Sequence, residues 1–223
     1  MKKVLLLNPP GQELYVRDYY CSKISKADYI PHPTDLLTAS GWLDPHFTLC
    51  VLDCIAEQVS KDNALEKIME FQPDAIFFLT GAVSKREDFN FLEKVKEKIP
   101  CLLIGTGDCL LDEFAAIRDS APWLDAILLD FISEDLSNFL RFELKGEPVS
   151  HSAIVDLRDR ENVPSCSLSR RKGEEITIPV PKYELFPNKK YRYPFVRSMP
   201  FASVLTDYGC PFRCKFCVMA EIG

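Results

Sequence analysis

The chain has 223 residues, with 27 Lys and Arg against 33 Asp and Glu and a formal charge of −6, a balance that makes a poor nucleic-acid binder by simple charge. Hydrophobic residues make up 47%, enough for a packed core and an argument against global disorder. The opening apolar run Val4-Leu5-Leu6-Leu7 is shorter than the roughly 7–15 residues of a signal peptide, and no stretch approaches the ~20 of a membrane span, so the chain reads as cytoplasmic with no membrane partner.

Short apolar runs at residues 4–8, 47–53, 75–80, 101–105 and 125–130 predict five strands, each near-continuous as in a parallel sheet covered on both faces. Helical patterns separate them. Thr34 is placed to cap a helix through Leu43, and Ser60 one through Phe71. Ser84 followed by Glu87 predicts a capping box opening a helix to about Lys98. Residues 110–119 and 133–145 supply two more, the last stopped by Gly146 with Pro148 just beyond. Five strand–helix units predict a five-stranded, doubly wound (flavodoxin-like) α/β domain over residues 1–146.

From 147 to 200 the texture changes. Seven of the 16 prolines fall here and helix periodicity stops, so a Pro-rich linker is predicted, with a small hairpin around residues 176–180. Its aromatic content (Tyr183, Phe186, Tyr191, Tyr193, Phe195) suits a segment wrapped on a domain surface. Charge shifts as well. Residues 1–150 hold 15 Lys and Arg against 25 Asp and Glu, and residues 151–223 hold 12 against 8. Residues 201–206 predict a new strand running into a cysteine-bearing loop. A strand, a loop and one helical turn make no domain, so residues 201–223 read as the start of a further one, and the chain as the front part of a longer protein, inactive alone.

The loop is Cys210-x3-Cys214-x2-Cys217. Three thiolates within eight residues can converge on one iron–sulfur cube and leave its fourth iron open to a small chelating molecule. A structural zinc site is the alternative, but it requires a fourth ligand; His151 or Cys166 would have to reach back. At the carboxyl ends of the predicted strands, where such sheets bind ligands, stand Asn8-Pro9-Pro10-Gly11, Thr80-Gly81 and Gly105-Thr106-Gly107-Asp108. None is a dinucleotide fingerprint.

The cysteine spacing, Phe216 before the last cysteine and the preceding Gly209 resemble the radical S-adenosylmethionine superfamily. The layout, with Leu6-Leu7-Asn8-Pro9-Pro10-Gly11 after the first strand and the bridge Pro181-Lys182-Tyr183-Glu184-Leu185-Phe186-Pro187, is similar to members with an amino-terminal cobalamin-binding domain. The resemblance implies a [4Fe-4S] cluster on Cys210, Cys214 and Cys217 at the start of a (β/α) barrel. It implies S-adenosylmethionine on the open iron with Phe216 near its adenine, and cobalamin near Asn8, Thr80, Gly81, Gly105, Thr106 and Gly107. It further implies an electron donor such as flavodoxin or ferredoxin, a small-molecule substrate and methyl transfer to an unactivated position.

There are departures. Where many members carry a glycine–glutamate pair after the fifth strand, this chain reads Asp130-Phe131-Ile132-Ser133-Glu134-Asp135. The cobalt-ligating D-x-H-x-x-G pattern is missing; Asp44-Pro45-His46 is the nearest match, with Leu49 in place of the glycine. His32 and His46 read as solvated or structural. Methylthiotransferases, which resemble this layout too, bind a second cluster through three amino-terminal cysteines. Cys21, Cys54 and Cys101 or Cys109 are the candidates, although Cys50 and Cys101 sit in strand patterns where a thiol acts as a small buried hydrophobe.

Overall fold

The computed structural model describes residues 1–17, 22–27, 29–111, 113–159 and 177–206. Six strands form the central sheet: β1 (Lys3–Asn8), β4 (Thr48–Asp53), β5 (Ala75–Leu79), β6 (Leu102–Thr106), β7 (Ala126–Leu128) and β8 (Ile154–Asp156). A two-stranded ribbon, β2 (Tyr15–Val16) and β3 (Lys23–Ile24), stands apart. The sheet order is β4-β1-β5-β6-β7-β8. The first five are parallel neighbours, and β8 joins β7 antiparallel. Counting the parallel strands along the chain, their order is 2-1-3-4-5, the flavodoxin-like one. It reverses direction between β1 and β5, so a crevice is expected where those two strands end.

The helices cover both faces. On one, α1 (Thr34–Leu43) and α5 (Asp135–Lys145) pack over Leu6, Phe77 and Leu128. On the other, α2 (Lys61–Phe71), α3 (Lys85–Lys98) and α4 (Phe114–Ser120) cover Leu5, Leu7, Phe78 and Leu103. Alternate residues of β1 thus feed two different cores, which is why its sequence is apolar throughout. Each buried side chain of this size contributes roughly 1.5–3 kcal/mol.

Several expectations need correction. The sheet has six strands; β8 falls in the predicted linker, where only three residues pair and no run announces them. Thr34 does not cap α1. Pro33 holds the N-cap position with no side-chain bond. Ser60 does cap α2, accepting from the Asn63 N–H at 3.3 Å. Ser84 and Glu87 form no capping box: Glu87 accepts from the Gln12 N–H at 3.0 Å, and Ser84 is drawn into a buried cluster. The predicted helix at 110–119 is a 3-10 turn, Asp108–Leu110, followed by α4 after Glu113 in a left-handed conformation. The last helix starts at Asp135 and ends, as expected, on Gly146 at φ 70°. Residues 177–180 and 201–206 form no strand, where the sequence predicts part of a hairpin and a strand.

Residues 177–206 lie on the sheet domain. Lys182 N–H donates to Ser40 Oγ at 2.9 Å, and Ile30 and Arg192 form an antiparallel bridge. Tyr191 is fully buried. The backbone of this segment is therefore held by the domain at several points, and it brings Ser203 and Leu205 over the carboxyl edge of the sheet.

Candidate functional site

The reversal point of the sheet is filled by a buried polar chain. Asn8, the last residue of β1, donates through Nδ2 to Asp53 Oδ1 at 2.8 Å. It accepts at Oδ1 from Arg17 Nη1 at 2.8 Å. Arg17 turns its fork on Asp88, with Nη2 to Oδ1 at 2.6 Å and Nε to Oδ2 at 3.0 Å. Its Nε also reaches Ser84 Oγ at 3.1 Å. Asp88 Oδ2 further accepts from Thr80 Oγ1 at 2.9 Å and Ser84 Oγ at 2.7 Å. At the other end, Asp53 accepts from the Ala56 N–H and from Tyr191 Oη, both at 3.0 Å. Burial pushes the Asp53 carboxyl up from the ordinary range, against the pull of these donors and of Arg17. Burial and the neighbouring Asp53 push the Tyr191 phenol up as well. Of this cluster only Asn8 and Thr80 stood among the predicted site residues. Arg17, Asp53, Ser84, Asp88 and Tyr191 did not. Asp53 left one signal, an acid closing an apolar strand.

The remaining predicted strand-end residues are engaged with the chain itself. Thr106 Oγ1 donates to the Leu128 carbonyl at 3.0 Å. Gly105 is pressed by Phe78 and Leu110, whose atoms lie 2.7 Å from where a Cβ would stand. Gly107 sits at φ 141°, and a Cβ there would lie 1.8 Å from the Thr80 carbonyl oxygen, so only glycine fits. A Cβ on Gly81 would lie 2.3 Å from that of Ser22. Asp108 ties this corner together, accepting from the Ser22 and Ala82 N–H groups at 2.8 Å each.

Beside the cluster lies a cavity of about 300 Å³ whose walls include Asn8, Arg17, Tyr29, Phe131, Ser203 and Leu205. Asn8 is the one predicted ligand contact on its lining; Thr80, Gly81, Gly105, Thr106 and Gly107 are not part of it. His32 closes one side. Its Nδ1 lies 3.0 Å from Ser203 Oγ and its Nε2 3.3 Å from Asn188 Oδ1, with the ring against Tyr191 and Phe201. Burial lowers its proton affinity. His32 is thus structural, a joint between the domain and residues 183–203. The turn after β7 is packed as well: Phe131 and Ile132 are buried, and the Ile132 carbonyl accepts from Trp42 Nε1 at 3.1 Å.

Cys210, Cys214, Cys217 and Phe216 lie outside the described residues, as do Cys21 and Cys166. The four described cysteines, Cys50, Cys54, Cys101 and Cys109, are free thiols. Burial pushes the Cys54 thiol up, and those of Cys101 and Cys109 up to about 11 each. Cys101 precedes β6 at the amino edge of the sheet, whereas Cys54 and Cys109 follow their strands at the carboxyl edge. Cys54 and Cys109 are three strand spacings apart in the sheet order, on the order of 14 Å. Among the described residues no three metal-binding side chains converge, and no helix is long and apolar enough to cross a membrane.

No protein-family model matches the chain. An uncharacterized methyltransferase of Pyrococcus horikoshii is 28% identical over 228 aligned residues, covering 96% of this chain and 45% of that protein. The anaerobic magnesium-protoporphyrin IX monomethyl ester cyclase of Cereibacter sphaeroides is 26% identical over 187 residues, covering 81% of this chain and 29% of that enzyme. The chain therefore spans less than half the length of the curated relatives it matches, and both carry the names of enzymes.

Proposed function

We propose that this chain is the front part of a radical S-adenosylmethionine enzyme that transfers a methyl group to an unactivated position of a small-molecule substrate. The observation that carries this reading is the loop Cys210-x3-Cys214-x2-Cys217. Its three thiolates suit a [4Fe-4S] cluster with one open iron, and fall one ligand short of a structural zinc site. Cys210, Cys214 and Cys217 would hold the cluster, and Phe216 would lie beside the adenine of S-adenosylmethionine. When bound, the cluster supplies the electron that splits S-adenosylmethionine into methionine and a 5′-deoxyadenosyl radical, drawing in turn on a donor such as flavodoxin or ferredoxin. The methyl-transfer reading is supported by the name of the relative aligned over 96% of the chain. Because the S-adenosylmethionine that yields the radical keeps its methyl on methionine, the transferred methyl would come from a second S-adenosylmethionine, which leaves as S-adenosylhomocysteine with a further electron from the same donor.

The chain's own share of the work is positional. Ser203 stands seven residues before Cys210 and is held by His32 and by the Tyr183 hydroxyl. The domain would in this way anchor the approach to the cysteine loop. A corrinoid as methyl carrier does not fit the described strand-end residues, because Thr80, Gly81, Gly105, Thr106 and Gly107 are buried and, of the six, Asn8 alone lines the cavity beside the cluster. That space, about 300 Å³, is at the lower end even for a drug-sized ligand. No step is routed through such a carrier.

The test is on the full-length parent, purified and reconstituted without oxygen. About four irons and four sulfides per chain, with 5′-deoxyadenosine formed on reduction, are expected. Cys214→Ala should lose both. A stoichiometric zinc with no cleavage of S-adenosylmethionine would sink the proposal.

A further inference from the structure

We infer that the ligand crevice of the amino-terminal sheet is closed from within, with Arg17 as its built-in occupant, so that the domain takes no corrinoid and serves as a scaffold. A doubly wound sheet receives its ligand where the strand order reverses. Here that point is the gap between the ends of β1 and β5, and the Arg17 guanidinium lies in it, bonded to Asn8 on one side and to Asp88 and Ser84 on the other. The Arg17 and Asp88 side chains have no solvent exposure. The polar side chains among the predicted contact residues are already engaged: both ends of the Asn8 amide, the Thr80 hydroxyl and the Thr106 hydroxyl.

The next gap, between β5 and β6, is also shut. The ladder continues past the strand ends, with the Thr80 N–H donating to the Thr106 carbonyl at 3.0 Å. The Thr80 carbonyl fills the space at Gly107, and Ser22 fills that at Gly81. The glycines that suggest room for a bulky ligand instead let the chain approach itself. To enter, the nucleotide tail of a corrinoid would have to expel a paired guanidinium and separate a backbone ladder. The turn after β7 contributes Phe131 to the wall of the cavity of about 300 Å³, which is at the lower end even for a drug-sized ligand.

The test uses the full-length parent, prepared without oxygen and incubated with about a hundredfold excess of hydroxocobalamin before desalting. Corrin is read from its absorption spectrum and iron from the same sample. The expected result is no retained corrin, and a melting temperature unchanged by the excess. About one corrin per chain, or a rise of several degrees, overturns the inference. Arg17→Lys keeps the buried charge while shrinking the plug, and should still retain none; corrin retained by the wild-type protein overturns the inference even if this variant fails to fold. The iron value separates the two proposals. Four irons without corrin uphold both, four irons with corrin sink only this one, and no iron without corrin sinks only the cluster reading.

Discussion

Arg17 and Asp88 meet fork to carboxylate, at 2.6 and 3.0 Å, with both side chains fully buried. They are 71 residues apart, so the pair ties the segment after β1 to the first turn of α3. Removing one partner leaves the other charge buried and unpaired, which costs about 3–5 kcal/mol. Arg17→Ala and Asp88→Ala should each destabilise the chain by that amount in chemical denaturation. The double change Arg17→Met with Asp88→Leu should recover much of the loss, because two apolar groups leave no charge behind. A double variant no more stable than the singles would mean that the pair matters through its bonds to Asn8, Thr80 and Ser84 instead.

Asp53 lies at the other end of the same cluster, and burial raises its carboxyl above the ordinary value of 3.8. A raised carboxyl binds its proton more tightly folded than unfolded. Its contribution to stability is complete below the unfolded value and is lost as pH rises through the folded one. Asp53→Asn should therefore flatten the pH dependence of stability above pH 3.8. The amide oxygen can keep the donors Asn8 and Ala56 while its NH2 donates to the Tyr191 oxygen, so the cost at neutral pH should stay within about 1 kcal/mol. Melting curves of both proteins across the acid range decide it.

His32 titrates in the opposite sense. Burial lowers its proton affinity below the ordinary 6.5, so its neutral form is the folded one. The stability it gives is present above 6.5 and lost as pH falls through the folded value. His46 is lowered as well and adds in the same direction, so the residue must be changed to assign the effect. His32→Asn should reduce the acid loss between neutral pH and about pH 5, and should loosen residues 183–203 first, seen as faster proteolysis there. An unchanged acid profile would shift the assignment to His46.

The parallel strands were legible because each is apolar on both faces, a pattern no amphipathic element shares. β8 was not, since three residues pairing at an edge leave no period to read. The strand ends were legible as places, but their use was not. Gly81 and Gly107 signal a close approach, and sequence does not say whether ligand or chain makes it. Arg17 sits beside Tyr15-Val16 with nothing to mark it as buried, and its partner Asp88 looks like an ordinary first-turn acid. Ser84 looked like a cap for the same reason: its hydroxyl suits a helix start, and a buried carboxylate four residues on competes for it.

Two glycines with positive φ separate strain from crowding. Gly146 closes α5 at φ 70° with nothing within 4 Å of a Cβ position, whereas a Cβ on Gly107, at φ 141°, would stand 1.8 Å from the Thr80 carbonyl oxygen. Gly146→Ala should cost only the left-handed penalty, about 1–2 kcal/mol. Gly107→Ala must in addition push β5 and β6 apart at their ends, and should cost more than about 4 kcal/mol or prevent folding. Equal losses in the two variants would show that the carboxyl edge yields easily, which would also weaken the case for a closed crevice.

Cys101 and Cys109, with thiols pushed up to about 11, carry little thiolate near neutral pH. They should react with a thiol reagent at pH 8 at least about a hundredfold more slowly than free cysteine. Cys54, buried and pushed up as well, should be slower still. Native-state labelling followed by peptide mapping reads each site. Their positions on opposite edges and distant strands also bear on iron. Cys54→Ala, Cys101→Ala and Cys109→Ala should each leave the iron content of the full-length parent near four per chain, while Cys210→Ala, Cys214→Ala or Cys217→Ala should abolish it. A parent with about eight irons, halved by Cys54→Ala, would mean a second cluster and move the protein to the methylthiotransferase class.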